Sequence, residues 1–215
     1  MRTLKYILAS LLVSFYLTSC DTAQDWIDTG VSSPYHDCSI MEYLRGDQYN
    51  WELTVQMIER GGLTAMFEGT ESDYEEITFF AIPSYTILRY LWDNDLEAVS
   101  DLTPEFCRET ILAHVVKGKY LKADIAYRNP DYLITDQKQD GGTALTTVGG
   151  RKLKAYVDKS SYGGVPDVGA ETMYLYSYSA QTQVPLATPD IQPLNGVVHA
   201  LNYNCLLYTS DAADE

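Results

Sequence analysis

The spacing of apolar residues changes partway along this chain, and that change restricts the fold more than any other feature. In the first half, Trp51, Val55 and Ile58 recur at helical spacing. From Gly141 onward the pattern is typical of β-strands, and Gly149-Gly150 separates the segments 144–148 and 153–157 as in a β-hairpin. Helices followed by hairpins predict an α+β fold rather than the alternating strands and helices of a parallel sheet.

Several element boundaries carry recognisable end signals. Ser39 with Glu42 three places later forms a capping-box pattern, and Pro104 after Thr103 occupies a first helical position. The β-branched and aromatic run 77–82 predicts a strand that ends at a proline. The other predicted elements are helices at 51–60 and 63–67, a helix capped by Ser84, extended segments at 115–116, 120–121 and 132–134, and strands at 144–148, 153–157, 173–178 and 197–201.

The first twenty residues are typical of an export signal. Arg2 and Lys5 precede an apolar run over 6–17, which is too short to span a bilayer core of about 30 Å. The run ends in Leu-Thr-Ser-Cys, which resembles the lipobox of bacterial lipoproteins. We therefore expect residues 1–19 to be a removable signal peptide and Cys20 to carry fatty acyl chains such as palmitate. The alternative is an ordinary signal peptide with a chance cysteine.

The lipobox implies a place in the cell envelope. Residues 20–37 have the composition of a linker. The acidic Asp21 and Asp25 resemble surface-export signals of Bacteroidetes lipoproteins, so we expect an outer-membrane lipoprotein, with exposure at the cell surface and a periplasmic orientation as the two alternatives. A net charge of −15 argues against binding to nucleic acid or to anionic lipid headgroups. Contact with the membrane is therefore expected through the lipid anchor.

The last eleven residues, 205–215, have no helical or strand pattern that links them to the preceding sequence. They resemble the translation of a transposon adapter used in preparing sequencing libraries, and we expect them to be a non-native tail. A genuine polar tail is the alternative. Of the remaining cysteines, Cys38 and Cys107 either pair or stay buried as free thiols, and no cysteine or histidine spacing indicates a zinc site.

Three segments stand out in order along the chain: residues 77–85 (ITFFAIPSY), residues 111–116 (ILAHVV) and residues 190–199 (DIQPLNGVVH). They resemble, respectively, the T-x-F-A-P box, the central leucine-histidine segment and the closing N-G-V-V-H box of the fasciclin-like adhesion domain. The matching positions are Thr78, Phe79, Ala81, Pro83, His114, Asn195, Gly196 and His199. The hairpin at Gly149-Gly150 also falls where this family has one.

The resemblance covers residues 38–204 and implies a compact β-wedge of short antiparallel strands with helices in the N-terminal half. The final strand is expected to be truncated, because the family's last strand continues past the point where residues 205–215 begin. Ile82 and Ala113 depart from the family pattern. We expect His114 and His199 to bond backbone groups, with metal ligation by this pair as the alternative.

Three tyrosines mark a candidate ligand site. Tyr174, Tyr176 and Tyr178 alternate, so on a strand they share one face and could stack on sugar rings; cross-strand packing is the alternative. Arg45-Gly46-Asp47 is the tripeptide that integrins recognise, but it lies where a turn between helices is expected.

No residue pattern combines a nucleophile with an oriented base, so we expect neither an enzyme nor a cofactor. The sequence therefore predicts a lipid-anchored adhesion or interaction module with an unidentified protein or glycan ligand. A glycan-binding accessory lipoprotein of an outer-membrane uptake system is the alternative.

Overall fold

A computed structural model describes residues 33–202. The predicted signal peptide, Cys20 and most of the predicted linker therefore lie outside the described residues, as does the segment 205–215. This part of the chain has five α-helices, with the first strand between the third and the fourth: α1 (Ile40–Gly46), α2 (Gln48–Arg60), α3 (Thr64–Glu68), α4 (Ser84–Asp93) and α5 (Pro104–Leu112). Short 3₁₀ turns lie at Ser72–Tyr74, Val99–Asp101 and Lys122–Asp124.

Seven strands form one sheet, in the order β2-β1-β7-β6-β5-β4-β3. Their bounds are β1 (Ile77–Ala81), β2 (Val115–Lys117), β3 (Thr143–Thr146), β4 (Lys152–Lys159), β5 (Glu171–Ser177), β6 (Thr182–Ile191) and β7 (Gly196–Leu201). The α+β class is thus as predicted, with helices concentrated in the first half. The expectation of only antiparallel strands is wrong, because β1 and β7 pair in parallel, with Ile77 opposite Gly196.

The centre of the sheet is buried on both faces. Every residue of β1 and of β7 is buried, so these strands have no polar face of the kind that alternation would reveal. Phe67 of α3 meets Phe79 of β1 edge-on at 4.9 Å between ring centroids, which packs the helices against the sheet. The final strand β7 pairs with β1 as far as Ala200 and with β6 as far as Leu201, and the region of its expected truncation lies beyond the described residues.

Strand β6 was missed by the sequence prediction because it contains Pro185 and Pro189, which cannot donate to a strand ladder. Its first part pairs with β5 and its second part with β7, and the register shifts twice between Leu186 and Ile191. These bulges allow one strand that contains two prolines to pair with both neighbouring strands.

Helix starts follow their capping signals except at one position. Ser39 and Glu42 form the expected capping box, and the Thr103 hydroxyl accepts from the Phe106 amide. Ser84 is the first residue of α4 rather than its cap, and its hydroxyl accepts from the Leu53 amide at 3.1 Å. The predicted extended segments at 120–121 and 132–134 are loops.

Candidate functional site

The sheet formed by β4, β5 and β6 has two different faces. On one face lie buried residues of the core, among them Leu153, Val157, Leu175 and Val184. The opposite face, here called the outer face, carries Lys154, Tyr156 and Asp158 of β4, Tyr174 and Tyr176 of β5, and Gln183 of β6. Strict alternation along three paired strands therefore brings these side chains together.

A loop at residues 128–142 covers part of the outer face. The loop begins beside β4, where the Arg128 amide donates to the Val157 carbonyl at 2.9 Å. Gln139, only 6% exposed, holds the loop closed: its side chain accepts from the Asn129 and Gly141 amides and donates to the Asn129 and Tyr132 carbonyls. Lys154 Nζ donates to the Gln139 carbonyl at 2.9 Å and so ties the loop to β4.

Between this loop and the outer face lies a cleft of about 330 Å³. Its described lining residues are Arg128, Leu133, Ile134, Thr135, Tyr156, Asp158, Tyr174 and Gln183. The volume is near the lower end of the roughly 300–1,000 Å³ typical of small-molecule sites. The cleft is therefore suited to a small ligand or to one end of a longer one.

Two tyrosines form the floor of the cleft. The rings of Tyr156 and Tyr174 are stacked, with centroids 5.2 Å apart and an interplanar angle of 11°. Burial, followed by the proximity of Tyr174, raises the pKa of Tyr156 to about 12. Tyr156 therefore keeps its proton and donates it to Gln183 Oε1 at 2.9 Å.

An ion pair forms the wall of the cleft. Arg128 Nη2 lies 3.1 Å from Asp158 Oδ2, and Arg128 Nε donates to the same oxygen at 3.1 Å. Arg128 Nη1 also donates to the Tyr132 carbonyl at 3.0 Å, so the guanidinium links the loop to β4. This geometry fixes both charged groups and neutralises one with the other.

The three tyrosines singled out from the sequence have different environments. Tyr174 is half-buried and lines the cleft. Tyr176 is only 6% exposed and meets Tyr178 edge-on at 5.2 Å, and Tyr178 follows the end of β5. The prediction did not include Tyr156 or Gln183, whose placement beside Tyr174 depends on the register of three strands.

Residues of the three sequence boxes hold loops and helices to the sheet. The Thr78 hydroxyl donates to the Gly118 carbonyl at 2.7 Å and accepts from the Tyr120 amide at 2.9 Å. Asn195 accepts from the Ile40 amide at 2.7 Å and donates to the Phe67 carbonyl at 3.0 Å. Phe79 and Ala81 lie within buried β1, and Pro83 is the N-cap residue of α4.

Both histidines of the boxes are fully buried and bonded to the backbone. His114 Nδ1 lies 2.8 Å from the Thr110 carbonyl, and burial lowers the pKa of His114 to about 4. His199 Nδ1 accepts from the Asp190 amide at 3.1 Å, which leaves Nε2 to donate to the Tyr120 carbonyl at 2.8 Å. Burial also lowers the pKa of His199, so both rings are neutral at pH 7.

A second concavity, of about 710 Å³, lies between the first turns of α2 and α4. Tyr49 and Tyr85 line it and are 90% and 51% exposed. The neighbouring Arg45-Gly46-Asp47 forms the junction of α1 and α2: Arg45 pairs with Glu59 at 2.9 Å, and the Asp47 carboxylate caps α2. This groove is open and mainly apolar, whereas the cleft combines an aromatic ring with fixed polar groups.

Within residues 33–202, no group of three or more His, Cys, Asp or Glu side chains is placed to hold a metal ion. Cys38 and Cys107 are free thiols, and burial raises the pKa of each. None of the helices in this part of the chain is long and apolar enough to cross a membrane.

Comparison with known proteins gives a match in structure. No model of a protein family matches the sequence, and no curated protein matches it. Among solved structures, the chain resembles a FAS1 domain pair from the insect cell adhesion molecule fasciclin I, with a TM-score of 0.51 and 14% identity over 77% of this chain. The match spans 50% of the length of that domain pair. The chain thus has a fasciclin-like fold.

Proposed function

We propose that this chain is a non-catalytic adhesion or interaction module held in the cell envelope by a lipid. The observation that carries the proposal is the fold, which is similar to that of a FAS1 domain pair from a cell adhesion molecule. Because the match has 14% identity, it supports the architecture of a binding domain and leaves the ligand to be argued from the site.

The buried titratable groups support a role without catalysis. His114 and His199 are the histidines of the sequence boxes, and each is fully buried and bonded to backbone carbonyl or amide groups. A general base has to reach a substrate proton, which a ring enclosed in the core cannot do. These histidines therefore serve to hold the segments around β2 and β7.

The proposed anchor is Cys20, with residues 1–19 removed on export and the outer membrane as the destination. The support is the basic start, the short apolar run and the Leu-Thr-Ser-Cys ending. Cys20→Ser should abolish incorporation of a palmitate analogue and move the protein from the membrane to the soluble fraction. Cys38→Ser is the matched control and should change neither. Acylation of the Cys20→Ser chain would refute this anchor.

Adhesion itself is tested with cells that carry the full chain. Such cells should attach to a host or matrix surface more strongly than cells that carry the Cys20→Ser chain, because an unanchored module cannot hold the cell. Equal attachment by the two strains would contradict the proposed function. The glycan-binding accessory role in an outer-membrane uptake system is the second candidate, and the aromatic and polar cleft favours it.

A further inference from the structure

We infer that the cleft between residues 128–135 and the outer face of β4–β6 binds a neutral saccharide. This inference rests on the proposed function, since it names the ligand class of an adhesion module. Three features of the described residues carry it: an aromatic ring held flat and partly open, polar groups fixed around that ring, and the absence of an uncompensated charge in the cleft lining.

The aromatic ring is that of Tyr174. Tyr174 is half-buried, whereas Tyr156, stacked against it, is only 2% exposed, so Tyr174 carries most of the accessible surface of the pair. The two rings lie nearly parallel, 5.2 Å apart, which holds Tyr174 in one orientation before any ligand arrives. A rigid tyrosine offers contact area at a low cost in conformational entropy, and the C–H groups of a pyranose ring match such a surface.

Polar groups with bonding capacity to spare surround this ring. Gln183 Oε1 accepts from Tyr156, whereas the Gln183 side-chain nitrogen and the Tyr174 hydroxyl have no protein partner among residues 33–202. Asp158 Oδ1 accepts from Arg128 and from the Lys159 amide, whereas Oδ2 accepts from Arg128 Nε and keeps one acceptor site. Fixed amide, carboxylate and hydroxyl groups around a flat ring are what a ligand with several hydroxyls requires.

Charge selects among ligands of this kind. Arg128 is the cationic side chain in the described lining, and Asp158 neutralises it at 3.1 Å. The chain as a whole carries −15, so anionic glycans and nucleic acids are repelled. An apolar peptide would cover the Gln183 side-chain nitrogen without offering it an acceptor, at a cost in desolvation. A neutral saccharide satisfies the ring and the polar groups together.

The test uses the full chain, purified in detergent and applied to an array of neutral hexose and N-acetylhexosamine oligosaccharides. At least one oligosaccharide should bind, and its affinity is then measured by titration calorimetry. Tyr174→Leu should lower that affinity about 30-fold, which corresponds to ~2 kcal/mol. Gln183→Ala should lower it about fivefold; because Tyr156 loses its acceptor in this variant, the thermal unfolding temperature is measured alongside to show that the chain is folded at the assay temperature. Tyr162→Leu, at a tyrosine that is 77% exposed on the β4–β5 loop, should have no effect.

Two results would overturn the inference. One is an array on which no neutral oligosaccharide binds the folded chain, and the other is binding that Gln183→Ala and Tyr174→Leu leave unchanged. Either result can be separated from a failure of the proposed function. If the module adheres through another site, cells that carry the Tyr174→Leu chain will still attach to the surface. If cells that carry the unaltered chain attach no better than cells that carry the Cys20→Ser chain, the proposed adhesion function is itself refuted.

Discussion

Replacing Asn195 should destabilise the fold strongly, because its side chain joins three separate parts of the chain. Asn195 is 8% exposed and stands just before β7. Its Oδ1 accepts from the Ile40 amide at the start of α1, and its Nδ2 donates to the Phe67 carbonyl near the end of α3. One amide group therefore satisfies two backbone groups that have no partner within their helices.

The magnitude follows from these two bonds. Asn195→Ala leaves a buried donor and a buried acceptor unsatisfied, each at about 1–3 kcal/mol, so the variant should lose about 2–6 kcal/mol of unfolding free energy. That is a large share of the roughly 5–15 kcal/mol that holds an ordinary domain folded. Urea unfolding followed by tryptophan fluorescence measures the change. Leu194→Ala, at the preceding residue with 70% exposure, is the control and should lose less than about 0.5 kcal/mol.

Asn195→Asp sharpens the test. The carboxylate keeps the acceptor for Ile40 but faces the Phe67 carbonyl without a proton to donate. Burial should raise the folded-state pKa of this aspartate above about 3.9. The variant should therefore lose less unfolding free energy, relative to the unaltered chain, near pH 4 than near pH 7. Two results would refute this account of the two bonds: a loss of unfolding free energy below about 0.5 kcal/mol in Asn195→Ala, or a loss in Asn195→Asp that does not change with pH.

Two further perturbations test the backbone and the buried histidine. Gly196 has φ +149°, and any Cβ there would collide with the Ile77 carbonyl, so Gly196→Ala should cost more than about 3 kcal/mol of unfolding free energy. Gly150 lies in an open turn at φ +78°, so Gly150→Ala should cost about 1 kcal/mol. Thermal unfolding measures both variants, and equal losses of stability would contradict the close approach of Gly196 to Ile77. His114 has a folded-state pKa of about 4 against 6.5 when unfolded, so the unfolded chain takes up the proton first as the pH falls. Stability should therefore decline by roughly 3 kcal/mol between about pH 6.5 and pH 4, and an unchanged pH slope in His114→Gln would show that this ring is not its cause.

The elements predicted correctly are those whose signals are local. The capping box at Ser39 and the proline after Thr103 define helix starts through bonds within four residues, and the hairpin at Gly149-Gly150 depends on a single turn. The fold class follows from the order of such elements. The parallel pairing of β1 with β7 has no local signal, because it joins segments that lie far apart in the sequence.

The candidate site could be predicted only in part for the same reason. Alternation placed Tyr174 and Tyr176 on one face, but exposure depends on what covers that face. Tyr174 lines the cleft because the loop held by Gln139 lies over this part of the sheet, and Tyr156 stacks against Tyr174 because the register of β4 and β5 places them opposite each other. A single sequence offers no signal for either, since both depend on contacts between distant segments.

The position of β7 also sets the order in which the chain can fold. This strand comes last among the described elements, yet it lies between β1 and β6 in the middle of the sheet. The parallel pair cannot form until β7 has been synthesised, and pairings of such long sequence separation form slowly. A nascent chain therefore keeps its apolar β1 unpaired on that side until nearly all of the domain has emerged. Under the export proposed above, this delay would keep the chain competent for translocation and would postpone closure of the sheet until the chain has crossed the membrane.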